Sequence, residues 1–88
     1  MSKHASGRIV AGGNQIPSSV FRGSSFIQFA TDSANPVTLQ YRGADGAWMD
    51  VTTATKGISN LIVCPWDPDN PAIRLTGTVG DNFHIWGN

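Results

Sequence analysis

The stretch Val37-Thr-Leu-Gln-Tyr-Arg-Gly-Ala-Asp-Gly-Ala-Trp-Met-Asp-Val-Thr52 indicates the fold class. Val37, Leu39 and Tyr41 alternate with polar neighbours, which is the period of two expected of a strand with one buried face. The following Gly43-Ala44-Asp45-Gly46 has the composition of a compact turn, in which glycine takes positive φ at low cost. Residues 37–52 are therefore predicted to form a β-hairpin.

Short apolar runs separated by turn residues continue on both sides of this hairpin. Val and Ile together number 13 against 3 Leu, and Glu is absent, which favours strands over helices. The other candidate strands are Val20–Arg22, Ser25–Ala30, Leu61–Cys64, Ala72–Val79 and Asn82–Trp86, with the last two joined by a turn at Gly80-Asp81-Asn82. The chain is predicted to be all-β, a small antiparallel β-sandwich or barrel of six to seven strands.

Residues 1–19 differ from the rest because they are rich in Ser and Gly, with isolated apolar residues. They are predicted to form an extended N-terminal arm, and residues 20–88 the β-sandwich domain. The first acidic residue is Asp32, so the positive charges of Lys3, Arg8 and Arg22 are unopposed within residues 1–31. Such a cationic segment is suited to docking on an anionic neighbour. Three solvated charges on a mobile terminus are the open alternative.

Composition argues against several function classes. The formal net charge is zero, and nucleic-acid binding usually shows as a basic excess. There is no apolar stretch near 18 residues, so no membrane span is expected. The single cysteine, Cys64, cannot form an internal disulfide and is predicted to be a buried, inert thiol. The protein is therefore expected to act without nucleic acid or membrane.

Catalytic and metal-binding patterns are sparse. Cys64 with His84 is the one candidate nucleophile and base, and it lacks an obvious group to orient the histidine, so no enzymatic activity is predicted. Asp67-x-Asp69-Asn70 offers closely spaced oxygen atoms of the kind calcium prefers. Asp, Asn and Pro are also the residues of ordinary turns. No cofactor is predicted, and calcium binding at this loop remains an open alternative.

The three tryptophans are candidate contact residues. Phe83 and Ile85 are assigned to the inner face of the last strand, so Trp86 is expected to point outward, either to a partner or beneath the N-terminal arm. Trp48 is expected to cap the core beside Tyr41. The predicted interface consists of Lys3, Arg8, Ile9, Val10, Ile16, Trp66 and Trp86. A carbohydrate-binding or adhesive module that uses the tryptophans is the alternative from another class.

The segment from Val37 to Val51 resembles the hairpin V-x-L-x-Y-S-x-D-G-x-W-x-D-V of small β-sandwich proteins in tailed-phage virions and of some sandwich modules of surface enzymes. Residues 72–77 and 83–87 resemble the closing strands of such sandwiches. The resemblance implies a capsid decoration or cement protein that forms homotrimers or dimers and clamps neighbouring subunits with its arm. The implied partner is the major capsid protein or another virion protein, and the implied location is a virion assembled in the host cytoplasm. A head-completion or tail accessory protein and a fragment of a larger enzyme are the further alternatives.

Overall fold

The computed structural model describes residues 3–88, which form eight β-strands and no helix. The strands are β1 (Lys3–Arg8), β2 (Asn14–Ile16), β3 (Phe26–Ala30), β4 (Val37–Arg42), β5 (Trp48–Ala54), β6 (Asn60–Val63), β7 (Ile73–Gly77) and β8 (Asn82–Gly87). Within this part of the chain, no helix exists that is long and apolar enough to cross a membrane.

The strands of residues 3–88 form two four-stranded antiparallel sheets. The first sheet has the order β1-β8-β3-β6, and the second has the order β2-β7-β4-β5. Within the described chain, only β4 and β5 are consecutive strands of one sheet; every other connection crosses between the sheets. The predicted all-β sandwich is confirmed, with eight strands in place of six or seven.

The predicted hairpin forms from β4 and β5. The Gly43 amide donates to the Ala47 carbonyl at 2.9 Å, and Gly46 has a φ of 84°, which a side chain would strain. A register shift between Leu39 and Gln40 adds a β-bulge to β5. The turn chemistry read from the sequence therefore matches the observed connection.

The core lies between the sheets and takes alternate residues from each strand. Its fully or nearly fully buried apolar members are Ile9, Phe21, Ile27, Phe29, Val37, Leu39, Ala54, Trp66, Ile73, Leu75, Phe83 and Ile85. The inner faces of the two sheets supply most of this list, as expected for a two-layer sandwich. Burial of Phe83 and Ile85 confirms the predicted phase of the last strand.

The predicted extended arm is wrong, because β1 (Lys3–Arg8) is a strand of the first sheet and β2 (Asn14–Ile16) is a strand of the second. β1 pairs with β8 from Lys3 opposite Gly87 to Arg8 opposite Asn82, and β2 pairs with β7. Ile9 between them is only 2% exposed. The edge strand β1 gains its hydrogen bonds from β8, which is distant in sequence. Its own Ser and Gly content is therefore a poor guide to whether it folds into the sheet.

Two further local predictions were also wrong. Residues 20–22 are a turn and not a strand, although Phe21 within it is completely buried. The turn at Gly80 does not join a hairpin, since β7 and β8 belong to different sheets. The amide of Gly80 donates to the Ile9 carbonyl at 2.9 Å, and the Ile9 amide donates to the Asp81 carbonyl at 2.7 Å. These bonds tie the crossover to the end of β1.

Candidate functional site

The outer face of the first sheet exposes apolar side chains where β6 forms its edge. Phe26 is 45% exposed, Leu61 63% and Val63 69%. Phe26 lies opposite Val63 in the β3–β6 register, so their side chains are neighbours on the same face. We call Phe26, Leu61 and Val63 the β6 face.

The β6 face was not predicted, although the sequence contained a signal for it. Leu61-Ile-Val-Cys64 is a continuous apolar run, which is typical of a strand covered on both faces. In a two-layer sandwich one face of each sheet has no second layer of the same chain against it. Ile62 and Cys64 pack against the core, while Leu61 and Val63 point outward. Half of this run therefore lies uncovered in the isolated chain.

The strand that carries the β6 face is held at both ends. The Asn60 side-chain amide donates to the Thr53 carbonyl at 3.0 Å and to the Thr52 hydroxyl at 3.2 Å, which links β6 to the second sheet. At the other end the Cys64 amide donates to the Ser25 carbonyl at 2.9 Å. The exposed side chains are thus presented by fixed backbone, and a partner that binds them has little backbone to order.

Trp86 lies on the same outer face, one strand away from the β6 face. Its ring centroid is 5.6 Å from that of His4 on β1 and 5.7 Å from that of His84. His84 Nε2 is 3.0 Å from Asp32 Oδ2. Trp86 thus points out of the sandwich as predicted. It packs partly against His4 of β1, which agrees with the alternative that placed it against the N-terminal segment.

A shallow depression of about 320 Å³ separates Trp86 from the β6 face, and Gln28, Ala30 and Ser59 complete its lining. Gln28 stands opposite both Trp86 and Leu61 in the strand registers. Its side-chain amide donates to the Ser59 hydroxyl at 2.6 Å. The outer face therefore passes from apolar at β6 to aromatic and polar at β8.

The cationic front segment binds loops of its own domain. Lys3 Nζ donates to the Arg22 carbonyl at 2.6 Å, and Arg8 Nη1 donates to the Gly80 carbonyl at 2.9 Å. Arg22 Nε in turn donates to the Asp69 carbonyl at 3.1 Å. These side chains were predicted to reach another molecule, and the structure places them in hydrogen bonds within the chain.

The apolar residues of the predicted interface are divided between core and surface. Ile9 and Trp66 lie in the core with 2% and 6% exposure, and Ile16 is half-buried against it. Val10 is 52% exposed, at the turn that follows Ile9. The side chains of Ile9 and Trp66 are already covered by the chain itself. Val10 and Trp86 are therefore the accessible apolar residues of the predicted interface.

Trp66 also borders an open groove of about 990 Å³ at one end of the sandwich. Tyr41 and Pro17 line the groove as well, beside the loop of residues 65–72. The Trp66 Nε1 atom is buried and has no hydrogen-bond partner among residues 3–88. The groove brings together two aromatic residues that the sequence placed on separate elements.

Trp48 does not cap the core, which corrects that prediction. It stands opposite Arg42 on the outward side of the second sheet. The guanidinium carbons of Arg42 and Arg74 lie 4.9 Å and 4.5 Å from its ring centroid, within the range of cation–π contact. The alternation along the hairpin had assigned Tyr41 inward, and its partner in the register is Met49, not Trp48.

Cys64 and His84, the candidate nucleophile and base, lie on opposite faces of the first sheet. Cys64 is level with Ser25 and faces the core, whereas His84 is level with Ala30 on the outer face, so the two side chains do not meet. The Asp67 carboxylate accepts a hydrogen bond from the Asp69 amide at 3.0 Å, which is an ordinary turn contact. Among residues 3–88, no three His, Cys, Asp or Glu side chains are grouped as metal ligands.

Cys64 is expected to react slowly with thiol reagents. Burial raises the pKa of its thiol, and the positive charge of Lys3 opposes that rise only in part. The thiolate fraction at pH 8 is therefore lower than in an unfolded chain, and alkylation by iodoacetamide should be several-fold slower in the folded protein than in urea. Because the folded pKa of Cys64 is raised, its thiol contributes fully to the free energy of unfolding below the ordinary thiol pKa. That contribution is lost as the pH rises from the ordinary pKa through the raised one. Equal alkylation rates in both states between pH 7 and 9 would contradict this prediction.

Comparison with known proteins provides no identification. No family model, no curated protein and no solved structure matches the chain. The surfaces described above are therefore the basis for assigning a function, and the β6 face is the apolar surface among them that extends over two adjacent strands.

Proposed function

We propose that this chain is a non-enzymatic structural protein of a virus particle, of the capsid decoration or cement type. In this role it binds protein partners through the β6 face. The exposed cluster of Phe26, Leu61 and Val63 carries the proposal. Adjacent large apolar side chains on a soluble domain are typical of a surface that another molecule covers.

The composition of the β6 face supports a protein partner. Residues 57–66, which contain β6 and its flanks, include no charged side chain. Depletion of charge around exposed aromatic and aliphatic side chains is typical of the centre of a protein interface. Gln28 and Ser59 supply polar groups beside it, as the rim of such an interface does.

The assignment to a virion rests on the resemblance of residues 37–51, 72–77 and 83–87 to small sandwich proteins of tailed phages. These segments lie in β4, β5, β7 and β8, which form the body of the sandwich and leave the β6 face free. Since β1 and β2 belong to the two sheets of the sandwich, clamping of neighbouring capsid subunits is assigned to the β6 face and not to an arm.

Cosedimentation with particles produced from the genome that encodes the chain tests this function. The unmodified chain is expected to sediment with the particles, and Val63→Lys is expected to remain in the supernatant because a charge at the interface centre must lose its hydration. Val79→Lys is the matched control, since Val79 is 65% exposed and lies away from the β6 face. Failure of the unmodified chain to sediment with particles, or equal loss by both variants, would contradict the proposal.

Carbohydrate binding is the second candidate, favoured by the depression between Trp86 and Ser59. An indole beside amide and hydroxyl groups is a combination that can stack on and hydrogen-bond to a sugar. A glycan array would show this as a signal from the unmodified chain that Trp86→Ala removes and Val63→Lys retains. Such a result, with no cosedimentation, would replace the assembly role by the carbohydrate role.

A further inference from the structure

We propose that two copies of the chain pair through their β6 edges, antiparallel to each other, so that their first sheets join into one continuous sheet. This inference rests on the proposed assembly function and names one of its partners, a second copy. It is drawn from the hydrogen-bonding pattern of β6, the composition of the sheet edges and the symmetry of the pairing.

Backbone groups of Leu61 and Val63 point away from β3. In an antiparallel pair, residues alternate between those bonded to the neighbouring strand and those whose amide and carbonyl face the other side. The Cys64 amide is bonded to Ser25, so Ile62 and Asn60 are also bonded to β3 and Leu61 and Val63 are not. The hydrogen bond from the Asn88 amide to the Phe26 carbonyl supports this alternation. It shows that the backbone groups of Phe26, which lies opposite Val63, face β8 and not β6.

β6 is the edge strand with the fewest features that oppose pairing with another chain. The two sheets of residues 3–88 end in β1, β6, β2 and β5. β1 carries Lys3 and Arg8, β5 carries Asp50 and a bulge, and β2 is three residues long. Charges, bulges and short length are the usual devices that prevent edge pairing. The four residues Asn60–Val63 have no charge, no proline and no bulge in their register.

The β6 edge is self-complementary. With a two-fold axis at Ile62, Leu61 of one copy faces Val63 of the other, and each pair can exchange both of its backbone hydrogen bonds. The same pairing brings these two side chains together on the outer face. Residues 57–66 carry no charge, so the axis brings no like charges together.

The area available indicates a weak dimer. Of the β6 face, only Leu61 (63% exposed) and Val63 (69% exposed) lie on the paired strand, because β6 separates Phe26 on β3 from the second copy. Two copies then bury less than the roughly 1,200 Å² of a standard stable interface. The dimer is therefore expected to form at high protein concentration, or where copies are held close together on a surface.

Sedimentation equilibrium over a range of concentrations tests the pairing. The apparent mass of the unmodified chain should approach twice 9.4 kDa at a protein concentration of about 1 mM and return to 9.4 kDa on dilution. Val63→Pro should remain monomeric, because proline removes the amide that faces the second copy while the bonds to β3 are retained. Leu61→Lys should also remain monomeric, whereas Val79→Lys should dimerise as the unmodified chain does.

The outcomes separate this inference from the proposed function. A monomer at every concentration, or a Val63→Pro variant that is folded and still dimeric, would overturn β6 pairing and leave the cosedimentation result unaffected. Far-UV circular dichroism shows which variants are folded. If Val63→Pro does not fold, the oligomeric state of Leu61→Lys tests the pairing, and a dimeric Leu61→Lys would overturn it. A lysine at this exposed edge position disturbs no hydrogen bond within the chain.

Discussion

A chain that lacks residues 1–19 is expected not to fold. The deletion removes β1 and β2, and with them the hydrogen-bonded partners of β8 and β7. It also removes Ile9 from the core, where it is 2% exposed. A domain of 88 residues has a free energy of unfolding of roughly 4–13 kcal/mol, which the loss of two strands should exceed. The check is a ¹H–¹⁵N correlation spectrum, in which the truncated chain should lose the amide dispersion of the whole chain.

Substitutions at Ile9 and Val10 give the same test without a deletion. Ile9→Ala should lower the free energy of unfolding by about 2–5 kcal/mol because the side chain is buried. Val10→Ala is the control, since Val10 is 52% exposed and should change stability by less than about 0.5 kcal/mol. A truncated chain with an unchanged melting temperature would show that residues 1–19 are an arm after all.

Phe21→Ala is expected to be the most destabilising single substitution proposed for this chain. Phe21 lies in the turn between β2 and β3 and is completely buried. A Cβ atom placed on Gly87 would lie 2.8 Å from Cδ1 of its ring, so the ring occupies the space that the glycine leaves open. Removing a buried phenylalanine ring costs about 3–5 kcal/mol, because the cavity left behind cannot close fully. Urea unfolding should show this loss as a lower midpoint with an unchanged slope.

Phe26→Ala is the matched control for that measurement. This substitution also removes a phenylalanine ring, but from a position that is 45% exposed, so no enclosed cavity results. Its expected cost is about 1 kcal/mol or less. Equal losses for the two variants would mean that Phe21 is not enclosed as the structure describes.

The features predicted correctly are those that depend on neighbours in the sequence. The alternation of Val37, Leu39 and Tyr41 and the glycines of the turn that follows were sufficient to locate the β4–β5 hairpin. The alternation around Phe83 likewise located the inner and outer faces of β8. Each of these patterns reflects the geometry of a single strand or turn, which is set over a few residues.

The features missed depend on partners that are distant in the sequence. β1 is a strand because β8, more than 70 residues later, offers it hydrogen bonds. Phe21 is buried because Gly87 leaves room for its ring. The periodicity of residues 1–22 contains neither fact, so residues 1–19 were predicted to form an arm and residues 20–22 a strand.

The candidate site shows the same division. The sequence by itself determined an all-β chain with an apolar run at Leu61–Cys64, because composition and alternation are local properties. Only the tertiary structure decided that β6 is an edge, that Leu61 and Val63 face outward, and that Phe26 joins them. A strand's position in a sheet and the layer against each of its faces follow from long-range packing, which local sequence does not encode on its own.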